Sequence, residues 1–284
     1  MALPQSQDQT AARYQTLILQ ALAGLSQGDT RSRTLHRLRI YLRRLQAYLQ
    51  IIGADLNAEM IDKCVSCLSR LRTWQVLDRY VKRLNASRSD LRKVRDRVET
   101  TRLKLGEKDA YGQIKTLLLT YTSPSALAGS TPANHRLAAL RTGNAEDLAQ
   151  LIERASVKPR RKRLHALRLK IKTIRYQEEW VLREADARPR LVEQLKHAQD
   201  VLGDYEDMAE FRKLARRLRL DCQKKIARDW RRARQRARAL PPQLRLVNDA
   251  LAGRHLRLVR SKPHVAQPRG RRVDGPRGEP GLRS

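Results

Sequence analysis

Apolar residues recur every three or four positions along most of this chain, which is the spacing of one face of an α-helix. The clearest stripe consists of five leucines, Leu35, Leu38, Leu42, Leu45 and Leu49. Leucine, alanine and arginine are frequent in these segments, and the alternation that predicts β-strands is rare. The pattern therefore predicts an all-α fold.

Glycines, prolines and polar turn residues divide this periodic region into separate helices. The predicted helices span about residues 9–27, 32–52, 58–84, 89–105, 111–121, 134–140, 145–155, 161–185, 190–202 and 205–238. Gly28 and Gly53 follow the first two helices, as is common at helix ends. Gly203 predicts a turn between the last two, and Pro241 and Pro242 end the series.

The segment 122–132 contains Ser-Pro, Gly-Ser and Thr-Pro pairs and predicts a loop between two halves. We expect one domain over residues 9–238, built from antiparallel helical half-bundles at 9–121 and 133–238. Residues 1–8 are expected to be a flexible N-terminus. Residues 239–284 are expected to form a basic, largely disordered tail, since prolines and glycines alternate with arginines from Ser261 onward.

The charge of the chain is strongly unbalanced. Lysine and arginine number 61 against 29 acidic residues, which gives a formal net charge of +32. Repulsion among so many like charges opposes a compact fold, so the excess indicates a polyanionic partner. Candidates are nucleic acid, an anionic membrane surface and inorganic polyphosphate. No segment is apolar and long enough to span a bilayer, and the N-terminus lacks the features of a signal peptide. We therefore expect a cytoplasmic protein.

One basic pattern, Leu-His-x-Leu-Arg-x-x-(Leu/Ile)-(Arg/Lys), occurs at residues 35–43 and again, 129 residues later, at 164–172. In the first copy His36, Arg39 and Arg43 lie within about 60° of one another on a helix, beside the apolar stripe. A duplicated core frame alone would preserve the leucines and let the polar positions change. The repeated histidine and cations indicate two equivalent helices that present positive charge to a shared ligand.

The two helices that carry these copies supply most of the candidate binding residues, His36, Arg39, Arg43, Arg44, His165, Arg168, Lys172 and Arg175. Arginines donate paired hydrogen bonds to phosphate oxygens, and lysines act as compact charges. Each histidine either donates to the ligand or supports the fold through a backbone contact, and the sequence leaves both roles open. Glu179 follows Arg175 by four residues and is predicted to orient it.

On these residues the chain resembles the conserved histidine α-helical domain (CHAD) family. The matching segments are residues 35–45, 164–176 and 195–207, the last similar to the family's segment that ends Leu-Gly-x-x-x-Asp. The resemblance covers about residues 9–238 and implies two antiparallel four-helix bundles, related by a pseudo-twofold axis, around a basic central cavity. It adds Lys196 and Arg88 to the candidate residues, although the turn at 84–89 lacks the family's aspartate.

The family is associated with inorganic polyphosphate and with polyphosphate granules, so the resemblance implies that ligand and location here. The rival hypothesis is a nucleic-acid-binding protein that uses the basic surface and tail, including the basic run at residues 230–238. Only 4% of residues are aromatic, and no stacking platform accompanies the basic stripes. The sequence therefore favours polyphosphate, and it leaves the oligomeric state open.

Signals for other chemistry are weak. Cys64 and Cys67 have metal-like spacing but no second pair of ligands, so they are interpreted as small core residues. No catalytic carboxylate pair, nucleotide-binding loop or nucleophile elbow is evident. Phosphoryl transfer through histidine would lack carboxylates for a metal ion. The sequence thus predicts a non-enzymatic protein without a metal or cofactor.

Overall fold

The computed structural model describes residues 7–29, 31–127, 133–181 and 188–253. Within these ranges all regular secondary structure is helical, with twelve α-helices and one 3-10 turn at Pro241–Gln243. The α-helices are α1 Gln7–Ser26, α2 Ser32–Ile51, α3 Asp55–Cys67, α4 Ser69–Arg83, α5 Arg88–Glu107, α6 Ala110–Tyr121, α7 Pro124–Leu127, α8 Ala133–Val157, α9 Arg161–Val181, α10 Pro189–Arg217, α11 Gln223–Ala239 and α12 Leu244–Leu251. The predicted all-α fold is confirmed.

The first packed group consists of α1, α2, α3 and α6. All five leucines of the α2 stripe are fully buried in it, together with Ile18 and Ile61. A buried leucine contributes about 1.5–3 kcal/mol relative to an exposed one. The stripe therefore fixes which face of α2 points inward, and the polar residues beside it reach the edge of the group.

The second packed group consists of α8, α9, α10 and α11, with α12 and the 3-10 turn against it. Leu164, Leu167, Ile171 and Ile174 are buried here, so α9 repeats the inward stripe of α2. The helices α2 and α9 also pack directly against each other. The twofold relation that the resemblance implies between the groups stays a prediction.

A third apolar cluster joins the hairpin α4–α5 to the hairpin α10–α11 and contains Trp74 and Phe211. At its edge the Tyr80 hydroxyl donates to Asp229 Oδ2 at 2.6 Å. The buried carboxylate of Asp90 accepts hydrogen bonds from the backbone amides of residues 221 and 222, at 2.9 and 3.1 Å. Asp90, one residue beyond the segment 84–89, thus connects the start of α5 to the turn between α10 and α11.

Three predicted helix boundaries are wrong. The segment 133–157 forms the single helix α8 and passes through Gly143, because buried Arg141 and Asn144 on either side anchor it. Similarly, α10 continues through Gly203, which lies between buried Leu202 and Tyr205. The long helix predicted at 58–84 is instead interrupted at residue 68, between α3 and α4.

The predicted ends of the domain also need correction. Residues 7 and 8 belong to α1, and the ordered helical part extends beyond residue 238. Leu244, Val247 and Leu251 of α12 are buried in the second group, an apolar spacing of three and four that the sequence reading overlooked. The predictions for residues 1–6, for 128–132 of the loop and for 254–284 of the tail lie outside the described residues. In the part that is described, we find no helix whose length and apolar character would let it cross a bilayer.

Candidate functional site

The packing of α2 against α9 brings cations of the two motif copies together. Lys172 on α9 interacts electrostatically with Arg39 and Arg43 of α2, and with Arg168 and Arg175 of its own helix. Arg39 in turn interacts with Arg168 across the helix pair. We call these five residues, together with Arg72 of α4, the cationic cluster.

The electrostatic environment of the cationic cluster is unfavourable for its own charges. Burial, and then repulsion by the four arginines, lowers the pKa of Lys172 to about 6. Burial is also the main cause that lowers the pKa of Arg39 to about 10, followed by repulsion from Arg43. An anion placed among these groups would relieve their repulsion, so the cluster is suited to hold negative charge.

Sequence reasoning missed the contribution of α4. The pKa of Arg72 is lowered to about 10 by burial and then by the charge of Arg79. Arg79 lies two turns further along the same face of α4. The pKa of His36, which is exposed but partly desolvated by its neighbours, is lowered by that desolvation first and then by Arg72, Arg79 and Arg39. The seven-residue spacing of Arg72 and Arg79 could have indicated a shared basic face, but many arginines of this chain share such spacings.

Several guanidinium groups of the cluster are held in place by neighbouring acceptors. Arg39 Nη1 donates to the Val65 carbonyl at 2.7 Å and to Ser69 Oγ at 3.1 Å. Arg43 Nη1 donates to Gln46 Oε1 at 2.6 Å and to a carboxylate oxygen of Asp62. These contacts fix the direction of both arginines on the α2 side.

On the α9 side, Arg175 Nε donates to Gln199 Oε1 at 2.9 Å. The same guanidinium donates to Glu179, so the contact between these two residues that the sequence predicted is present. Arg44 of α2 lies 3.8 Å from the other oxygen of Glu179 and is about half exposed. Glu179 therefore connects the two motif helices at this end.

Some donors of the cluster have no acceptor among the described residues. They are the buried atoms Arg43 Nε, Arg72 Nη1 and Arg168 Nε. A buried donor without a partner costs about 1–3 kcal/mol, more for a charged group. The carboxylate of Asp207 is an electrostatic neighbour of the cluster: desolvation raises its pKa, and the charges of Arg168 and Arg72 oppose that rise. The cluster thus keeps several donors and a surplus of positive charge.

The two motif histidines lie in different environments. His36 is exposed and faces the arginines of α4. His165 Nδ1 lies 3.6 Å from Glu206 Oε1, and Glu206 also accepts a 2.7 Å hydrogen bond from Arg161. Equivalent positions in the repeat therefore do not have equivalent neighbours, which the motif alone could not reveal.

Two other candidate residues lie away from the cluster or at its margin. Ser69, which accepts from Arg39, begins α4, whereas Arg88 follows the opposite end of that helix, about 20 Å along it. The structure thus separates exposed Arg88 from the cluster. Lys196 is exposed on α10, one turn before Gln199, and so borders the Arg175 end.

Metal ligation has little geometric support. In the described ranges no group of three histidine, cysteine or acidic side chains is arranged to hold a metal ion. The three cysteines are free, with Cys64 and Cys222 buried and Cys67 exposed. The site is therefore best described by its positive charge.

Comparisons with known proteins agree with this architecture. The family model of the CHAD domain matches residues 11–216. A solved structure, the CHAD domain from the plant Ricinus communis, is similar with a TM-score of 0.50 and 18% sequence identity, over 86% of this chain and 88% of that one. At this identity the structural likeness shows the fold alone. No curated protein matches the chain significantly. The family match spans most of the chain and includes both motif helices, and the chain therefore belongs to the CHAD family.

Proposed function

We propose that the protein binds inorganic polyphosphate at the cationic cluster and does so without catalysing a reaction. The observation that carries this proposal is that the half-buried ammonium of Lys172 has four arginines from two helices as electrostatic neighbours. Phosphate oxygens can accept hydrogen bonds from several arginines at once and offset their repulsion. Attachment to polyphosphate granules is part of the same proposal, since the net charge of +32 favours association with a large polyanion.

The extent of the positive surface supports a linear polymer in preference to a single phosphate. Arg72 and Arg79 lie about 10 Å apart along α4, and Arg168 and Arg175 lie about 10 Å apart along α9. The electrostatic neighbours of His36, Arg39 and Lys172 connect these two rows. A chain of phosphates can follow such a path, whereas one phosphate reaches only part of it.

Nucleic acid is the alternative ligand, and the aromatic side chains argue against it. The Trp230 ring in basic helix α11 already contacts the guanidinium groups of Arg212 and Arg234, 4.2 and 5.3 Å from its centre. Beside the cluster, the Tyr176 ring is covered by Arg175 at 4.2 Å. Single-stranded nucleic acids gain much of their affinity by stacking bases on aromatic rings. Aromatic rings that are already covered by arginines offer little surface for stacking with bases.

A competition experiment tests the choice of ligand. Long-chain polyphosphate and single-stranded RNA of equal total charge would compete for the full-length protein at several salt concentrations. We expect polyphosphate to bind more tightly at every salt concentration, with affinities that fall as salt rises because counterions are released. Equal affinities throughout would contradict a polyphosphate site. Shortening of the polymer during incubation would contradict the non-enzymatic part of the proposal.

Paired variants test the location. Arg39→Gln with Arg168→Gln removes one cluster arginine from each motif helix. Arg37→Gln with Lys162→Gln removes the same charge from exposed positions of the same helices. Because a hydrogen bond to a charged group contributes about 1.5–3 kcal/mol, we expect the first pair to weaken binding about 100-fold or more. The second pair should change it less than about threefold. Equal losses would assign binding to bulk charge.

A further inference from the structure

A second basic pocket lies outside the cationic cluster, between α4, α5 and the end of α10. Five cationic side chains and no carboxylate line it, and the cations are Arg70, Arg97, Lys104, Lys108 and Arg217. We call it the α4–α5 pocket. All five cationic residues are exposed, so their charged ends are accessible to a ligand.

The cations of this pocket lack acidic partners among the described residues. Arg97 and Lys104 of α5 and Lys108, which directly follows this helix, lie within about 40° of one another. Like charges four residues apart destabilise a helix. Acidic residues nearby pair with cations outside the pocket lining: Glu99 with Arg102, and Asp78 with Lys82 and Arg95. Arg97, Lys104 and Lys108 thus form a row of positive charges without ion-pair partners among the described residues, and an anionic ligand would balance these charges.

The pocket has an apolar part as well as a cationic one. Trp74, Leu105 and Leu218 contribute to its lining beside the five cations. Its volume is about 190 Å³, whereas pockets that enclose a whole drug-sized ligand measure roughly 300–1,000 Å³. A pocket of this size accommodates one planar ring system of a ligand, and a charged group attached to that ring would lie among the cations. A purely inorganic anion would make no use of the apolar wall.

The α4–α5 pocket is separate from the cationic cluster because the two use opposite faces of α4. Arg70 and Trp74 lie one turn apart on the pocket face. Arg72 lies between them in sequence, about 160–200° around the helix from both, and belongs to the cluster. A ligand in the pocket therefore would not occupy the polyphosphate site.

The geometry points to a nucleoside di- or triphosphate as the ligand of the α4–α5 pocket. Its base packs against Trp74 and Leu105, and its phosphates lie among Arg97, Lys104 and Arg217. The cations supply charge-assisted hydrogen bonds to the phosphates, and the apolar wall distinguishes a nucleotide from inorganic polyphosphate.

Calorimetric titration of the full-length protein with ATP, inorganic tripolyphosphate and adenosine tests this inference. Lys104→Gln with Arg217→Gln removes two pocket cations, and Arg92→Gln with Arg216→Gln removes two exposed cations from the same helices outside the pocket lining. We expect the pocket pair to weaken ATP binding at least about tenfold and the control pair to leave it within about twofold. Trp74→Phe should weaken ATP binding more than tripolyphosphate binding. Melting curves of each variant establish that it is folded.

The same titrations contain the results that would overturn the inference. Equal losses from the pocket and control pairs would show attraction by bulk charge. Loss of ATP binding in the Arg39→Gln, Arg168→Gln protein, with the pocket pair unaffected, would place ATP at the cationic cluster. Identical responses of ATP and tripolyphosphate to every variant would remove the role of the base. None of these outcomes depends on whether polyphosphate binds at the cluster.

Discussion

Arg141 on α8 and Glu178 on α9 form a buried ion pair with two parallel hydrogen bonds. Nε donates to Oε1 and Nη2 donates to Oε2, both at 2.8 Å, and the side chains are only 8% and 2% exposed. Beside the pair, Asn144 donates to Gln177 at 2.8 Å, and Gln177 donates to Gln50 of α2 at 3.0 Å. This polar network fixes how α8 and α2 meet the helix that carries the second motif.

The first prediction concerns this ion pair. Glu178→Gln removes the carboxylate charge beside the buried Arg141 guanidinium, and breaking a buried pair in this way costs about 3–5 kcal/mol. We expect that decrease in the free energy of unfolding, measured by urea denaturation. Asp147→Asn is the matched control, because Asp147 pairs with Lys170 between the same two helices but is 62% exposed. It should cost less than about 1 kcal/mol, and similar costs for both variants would contradict the argument.

The second prediction concerns the connection between the two hairpins. Asp90→Ala removes the acceptor of the two backbone amides at residues 221 and 222. A buried donor that loses its partner costs about 1–3 kcal/mol, so we expect the free energy of unfolding to fall by about 2–5 kcal/mol. Asp96→Ala, at an exposed position of α5, should change it by less than about 0.5 kcal/mol. An Asp90 effect as small as the control would mean that these amides find other acceptors.

The apolar spacing was sufficient to predict the helices that carry the motifs, because the leucines of α2 and α9 are buried as their periodicity requires. Glycine was a poorer guide. At Gly53 the backbone has a φ of +80°, a conformation that ends α2, whereas Gly143 lies within α8. The sequence contains the same residue in both cases, and only the packing around it decides whether the helix ends.

A third prediction follows from this difference. Gly143→Ala should stabilise the protein by about 0.5–1 kcal/mol, since alanine favours the helix and a Cβ there meets nothing within 4 Å. Gly53→Ala should destabilise it by about 1–2 kcal/mol, because alanine tolerates the positive φ poorly and its Cβ would overlap the Arg136 guanidinium. Thermal unfolding of both variants checks the signs, and a stabilising Gly53→Ala would contradict this reading of the α2 end.

The candidate site was predictable to a similar degree. The repeat and the helix that continues its second copy identified Arg39, Arg43, Arg168, Lys172 and Arg175, which the structure brings together. It could not identify Arg72, because that residue lies outside both copies and joins the cluster only through the packing of α4. The repeat also could not show that His36 and His165 lie in different environments, since the neighbours that distinguish them come from α4 and α10. Their contact with a ligand stays a prediction.

The last prediction is that polyphosphate binding takes up protons through Lys172. In the free protein its pKa is about 6, so the amine is mostly uncharged at pH 8. A bound polyanion favours the ammonium form and raises this pKa. Because the bound state then holds more protons, affinity should increase by up to about tenfold per pH unit as the pH falls from about 9 towards 6, and level off below.

Calorimetry at pH 8 in two buffers of different ionisation enthalpy measures this uptake, which we expect to approach about one proton per Lys172 site. Lys172→Met should abolish most of it. His36→Asn is the control, because the pKa of His36 is also lowered but its imidazole is exposed, and most of the uptake should remain. Unchanged uptake in Lys172→Met would assign the proton to another group.

The same residue should affect the stability of the free protein in the opposite sense. The pKa of Lys172 is lowered from 10.5 in the unfolded chain to about 6 in the folded one. Between these values the unfolded state binds more protons, so the free energy of unfolding rises with pH across that window. Lys172→Met should remove this slope and stabilise the protein at pH 7 while weakening polyphosphate binding. A Lys172→Met variant that loses both stability and affinity would contradict this prediction. It would show that Lys172 stabilises the fold of the free protein.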